Sequence, residues 1–107
     1  MSRTDAYIVL TVRFVAEDDV WTAECEELGT AAFGDTLDEA KKAIEEMIAL
    51  HLNSLERTGM RAKFFRKHGI RLHKGSPSTH PQPRQVSVRP GEFVHPMTQS
   101  LPAVSAR

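Results

Sequence analysis

The chain has 107 residues, with 14 Lys and Arg against 14 Asp and Glu, and 40% of it is hydrophobic. That composition fits one small globular domain and leaves no room for two. No run approaches the eighteen or so apolar residues of a membrane-spanning helix, and the opening residues lack the apolar core of a secretory signal, so the expected location is cytoplasmic. The one cysteine, Cys25, excludes an internal disulfide and fits a reducing compartment.

The zero net charge hides a division. Residues 1–50 carry four basic groups and twelve acidic ones, and residues 51–107 carry ten basic and two acidic, giving −8 and +8. Such asymmetry points to a partner or to self-association. All six prolines follow Lys74. The expected organisation is therefore a folded unit over 1–74 and an extended Pro-rich tail over 75–107, with strand-forming character at 85–95.

In chain order, Tyr7 to Val15 alternates as a strand, with Ile8, Leu10, Val12 and Phe14 on the core face. A short polar hairpin connection over 16–19 leads to a second strand, in which Trp21, Ala23 and Cys25 share one face. A third, weaker strand spans Thr30 to Phe33. Thr36-Leu37-Asp38-Glu39 is a capping box, in which the Thr36 hydroxyl accepts from the Glu39 amide and the Glu39 carboxylate reaches back to the Thr36 amide. The helix it starts carries an apolar stripe of Leu37, Ala40, Ile44, Met47, Ile48, His51 and Leu55, widened by Ala43 and Leu52, and stops at Gly59. A shorter helix from Met60 or Arg61 to His68, anchored by Phe64 and Phe65, closes at Gly69, and a short edge strand follows at Ile70 to His73. The predicted fold class is α+β: a three-stranded antiparallel sheet packed by one long helix, then a short helix and the tail. Roughly seventy ordered residues make a marginal core, so pairing with a second chain is expected.

The ordered set Trp21-x-Ala23, Glu27-Leu28 and Gly34-Asp35-Thr36-x-x-Glu39-Ala40, followed by a long amphipathic helix ending at Gly59, resembles the HicB family of antitoxins. The resemblance covers most of residues 7–59. It implies a partial ribonuclease H-like fold and a partner, a small HicA-type toxin that cleaves RNA and has a double-stranded-RNA-binding-like fold. Val88 to Val94 is similar to the ending of shorter family members. The chain departs from many members after Gly59, where a helix-turn-helix or ribbon-helix-helix module usually binds the operator; neither pattern is recognisable here, so the resemblance leaves DNA binding open.

Chemistry is sparse. Ribonuclease H-type catalysis needs carboxylates gathered around two metals, whereas Asp18 and Asp19 fall in a turn, Glu24, Glu26 and Glu27 near a strand end, and Asp35 beside a helix cap. The five histidines lack the HxxxH or HxH spacing of a metal site. Cys25 reads as a core residue and His51 as a boundary one. The expectation is a binding protein without catalytic residues or cofactor.

Its candidate partner-binding residues are the acidic platform Glu17, Asp18, Asp19, Glu24, Glu26 and Glu27, complementary to a cationic toxin, and the tail residues Val88, Phe93 and Val94. Phe93 and Val94 would anchor the tail along a partner's strand edge or groove, so that the tail could be deleted with the fold intact. The alternative is a nucleic-acid-binding regulator using Arg61, Lys63, Arg66, Lys67, Arg71 and Lys74, with Phe64 and Phe65 for stacking. A third reading is an orphan dimerisation or scaffold module.

Overall fold

The computed structural model of the chain describes residues 6–75 and 86–101. It is an α+β fold in the order β1 (Ala6–Glu17), β2 (Val20–Cys25), β3 (Ala31–Gly34), α1 (Leu37–Thr58), α2 (Arg61–Lys67), β4 (His73–Lys74) and β5 (Glu92–Leu101). All pairings are antiparallel, and β1 is the hub of a five-stranded sheet. Residues 12–15 of β1 pair with both β2 and β5, and residues 6 and 7 pair with both β4 and β5. A strand has two edges, so β2 and β4 share one edge of β1 and β5 occupies the other.

Alternation fixes the two faces. Ile8, Leu10, Val12 and Phe14 point inward and are buried, together with Ala23, Cys25, Ala32 and Leu101 from the neighbouring strands. Helix α1 covers this face with Ala40, Ile44, Ile48, Leu52 and Leu55. Met47, expected on the stripe, is exposed, because the buried arc centres on Ile44 and Ile48. The opposite face, with Val9, Arg13, Val15, Thr22, Phe33 and Val94 in register across β1, β2, β3 and β5, has no helix packed on it among the described residues.

Local chemistry explains the boundaries. The β1–β2 turn is two residues, Asp18 and Asp19, both with positive φ (51° and 64°), between the paired Glu17 and Val20. This is the twist-matched hairpin geometry, and Asp tolerates the left-handed region better than most side chains. The Glu39 amide donates to Thr36 Oγ1 at 3.1 Å, as the capping box requires. Its carboxylate reaches one residue further than expected and accepts from the Asp35 amide at 2.9 Å. Gly59 closes α1 in the left-handed conformation, its amide donating to Glu56.

The tail departs most from expectation. Its strand lies at Glu92–Leu101 rather than 85–95, and it belongs to the chain's own sheet. Phe93 stacks on Phe14 with ring centroids 5.0 Å apart, and Leu101 joins the core. The folded unit therefore extends past Lys74. Short-range alternation located a strand in the tail, but the choice of β1 as its partner is a long-range pairing that no local pattern encodes.

A chain ending at Gly75 would uncover one whole edge of β1 and the apolar contacts of β5, a loss of about 3–6 kcal/mol against the 5–15 kcal/mol typical of a domain. It is expected to lose its cooperative melting transition; an unchanged melt would make β5 dispensable. A Cβ on Gly34 would lie 2.7 Å from the Glu39 carbonyl carbon and against the Ala40 amide nitrogen, so Gly34→Ala should cost about 1–3 kcal/mol in urea unfolding.

Candidate partner-binding surface

The acidic residues divide into two groups. Glu27 is 5% exposed and its carboxylate accepts from both the Thr11 amide (2.7 Å) and the Thr11 hydroxyl (2.8 Å). The Glu26 amide donates to the Thr11 carbonyl at 2.9 Å. Glu26 and Glu27 thus stitch β1 just beyond the point where β2 leaves it. Glu26 also takes the Arg13 guanidinium at 2.9 Å. A buried carboxylate is tolerable only with such partners. These two belong to the framework rather than to a free platform.

Arg13 ties the tail down as well. Its Nη1 donates to the Ser87 carbonyl at 2.7 Å and to Glu92 at 2.8 Å. Two carboxylates hold the guanidinium pKa above its ordinary value, first through the hydrogen bond that Arg13 donates to Glu26. The Arg89 backbone amide, and then Arg13, hold the Glu92 carboxyl below the ordinary range.

Glu17, Asp18, Asp19 and Glu24 remain exposed. The first three line an open cleft of about 380 Å³ together with Ala16, Val20, Trp21 and Asp35. Ala16 and Trp21 are register partners on the helix-covered face, so the cleft lies at the end of the sheet where the hairpin tip meets the approach to α1. Asp35 was not among the expected contact residues. It precedes the Thr36 cap, where an acidic residue reads as a helix signal.

On the opposite face, Phe33 is 66% exposed, a large apolar side chain paired across strands with Thr22. Its position opposite Thr22 was readable only once the third strand was placed one residue later than expected, at Ala31–Gly34. Phe93 is 40% exposed, but its ring is engaged with Phe14 and, edge-on at 6.1 Å, with Trp21. Val94 lies opposite Arg13, and Val88 is exposed in the segment preceding β5. These residues anchor or border the tail's attachment to its own sheet, which corrects the expectation that they anchor it to a partner.

The basic set also divides. Arg61 is 8% exposed, bonded to Glu56 at 3.0 Å and lying over the Phe65 ring. Phe65 is in the core, and Phe64 packs between His51 (5.3 Å, edge-on) and His68 (4.0 Å, stacked). Neither ring presents a free face for nucleic-acid bases. Lys63, Arg66, Lys67, Arg71 and Lys74 are exposed.

Cys25 is buried, and desolvation pushes its thiol up to about 11, which keeps it protonated at neutral pH and makes it a poor nucleophile. Among the described residues no group of His, Cys, Asp and Glu could hold a metal ion, and no helix is long and apolar enough to cross a membrane. The chain matches no family model, no curated protein and no solved structure.

The depressed Glu92 pKa has a defined pH signature. Its stabilising effect is complete above the unfolded pKa of about 4.3 and is lost as pH falls through the lower folded value. Melting temperatures of the wild type and Glu92→Gln should therefore differ most near neutrality and converge in acid. A gap independent of pH would show that the carboxylate charge is not what holds β5.

Proposed function

We propose that this protein is an antitoxin-like binding component of a toxin–antitoxin pair, which neutralises a small HicA-type RNA-cleaving toxin by covering its RNA-contacting surface. The reading rests on the HicB-like residues between 7 and 59, and one structural observation carries it. Glu17, Asp18, Asp19 and Asp35 converge on one open cleft beside the indole of Trp21. A protein that grips RNA must present Lys and Arg where the phosphates sit. Those cations find equivalent anions in this cleft, and Trp21 adds an aromatic surface for a guanidinium. Carboxylates at a protruding hairpin tip also speed encounter with a cationic partner.

Inhibition on this reading is competition for one positive surface and requires no bond to be made or broken by this chain. The residues suit a cytoplasmic protein, where an RNA-cleaving toxin would act. The nucleic-acid reading draws support from the exposed Lys63, Arg66, Lys67, Arg71 and Lys74. With Phe64 and Phe65 packed against the protein, it is reduced to phosphate contacts alone.

Co-expression with the neighbouring small open reading frame tests the proposal. The neighbour should arrest growth alone and be silenced by this protein. Replacing Asp18 and Asp19 by Asn keeps a residue suited to positive φ while removing two charges. It should slow association about tenfold at low salt and flatten its salt dependence. A harmless neighbour, or toxicity indifferent to this protein, would refute the reading.

A further inference from the structure

We infer that the acidic cleft continues into an aromatic shelf made by Trp21 and Phe93, and that this composite surface takes an arginine and an apolar side chain presented together by a partner protein. The inference rests on the binding role proposed above and names the chemistry of what is bound.

The shelf follows from how the sheet is covered. Helix α1 lies against β3 and β2, whereas β5 packs on β1. Side chains of β5 on the helix side therefore reach solvent beyond the helix. Phe93 is 40% exposed although its ring stacks on Phe14, His95 two positions along is exposed, and Met97 is half-buried. Phe93 thus fixes the tail with one side of its ring and leaves the rest open.

Trp21 joins this shelf to the cleft. Its indole lines the cleft and meets Phe93 edge-on, with ring centroids 6.1 Å apart. The neighbouring charge then selects the occupant. Among the described residues no cation forms an ion pair with Glu17, Asp18, Asp19 or Asp35. The cations at this end, Arg13 and Arg89, both act on Glu92, and Arg13 also holds Glu26. The cleft therefore keeps its negative charge and favours a cationic partner.

An arginine suits it best, because a guanidinium lies flat on an indole while its N–H groups reach carboxylates at the rim, which the compact ammonium of lysine does not combine. The apolar group follows from spacing. Alternate side chains of an extended segment lie about 6.8 Å apart, close to the separation of the two rings. An arginine over Trp21 thus sets the side chain two positions on against Phe93, where an apolar group removes aromatic surface from water.

Trp21 is the one tryptophan of the chain, so its fluorescence reads the site directly. The probes are acetylated, amidated peptides Gly-Arg-Ser-Phe-Gly, Gly-Arg-Ser-Ser-Gly and Gly-Glu-Ser-Phe-Gly, titrated into the full chain at low salt. The first should shift the emission and bind at least about tenfold more tightly than either of the others. Replacing Asp18 and Asp19 by Asn should reduce the advantage of arginine over glutamate. Phe93→Leu keeps an apolar side chain on Phe14 and should reduce the advantage of phenylalanine over serine at an unchanged melting temperature. His95→Asp, an exposed position on the same side of β5, should reduce that same ratio without touching the Phe14 contact. No emission change with the first peptide up to about 5 mM, a range that covers weak millimolar binding, overturns the proposal. Equal affinity for the phenylalanine and serine peptides does so as well. Peptide selectivity together with a harmless neighbouring reading frame would keep this site and remove the toxin reading. A silenced toxin without peptide selectivity would keep the toxin reading and remove this site.

Discussion

The structure depends on satisfying one strand, β1, along both of its edges and on its inner face. β1 is inward-apolar over Ile8, Leu10, Val12 and Phe14, which commits it to lie under α1. A strand so placed must have its backbone groups paired along both edges. β5 does this along one edge over ten residues, whereas on the other edge β2 covers only residues 12–17 and β4 only residues 6 and 7. Between them Thr11 would have a buried amide and carbonyl with no strand beside it. The Glu27 carboxylate takes the amide and the Glu26 amide takes the carbonyl, so a two-residue bend substitutes for missing ladder. Removing Glu27 would strand a buried donor, which is why this carboxylate belongs to the fold and not to a partner.

The same logic accounts for what the sequence disclosed. Period-two alternation placed β1 and β2 within two residues, and the Thr36 capping box and Gly59 placed both ends of α1, because each is decided by neighbours a few positions away. Gly34 is required because the start of α1 packs directly on the end of β3, with no space for a methyl group. The partner of β5 was not legible, since residues 92–101 alternate weakly and meet β1 only through a connection of seventeen residues. Nor was the fate of Arg13, whose bond to Ser87 spans 74 positions.

Charge was legible as a total and misleading as a surface. Of six acidic residues expected to form one platform, Glu26 and Glu27 are engaged by Arg13 and Thr11, and the remaining four stay exposed. In the basic stretch Arg61 is withdrawn in the same way by Glu56 and Phe65. A linear count cannot separate a carboxylate that neutralises its own chain from one that faces outward. What separates them is proximity to a backbone gap or to an oppositely charged neighbour across strands, and both are set by register.

Register also decides how this sheet can associate. Because Thr11 directs its backbone groups toward Glu26 and Glu27, its pair with Pro96 is a non-hydrogen-bonded one, and the Pro96 nitrogen faces away from β1. A proline is compatible with β5 there, and it removes a donor from the middle of the free edge. Extension of the sheet by another strand at that edge would lose a ladder bond at its centre, which is the usual way an exposed edge is protected from indiscriminate pairing. The tail that read as a strand to be donated to a partner is instead the strand that closes the chain's own sheet. Pro96 thereby turns backbone pairing away from the middle of that edge, so the tail completes the sheet without offering a full ladder for another strand.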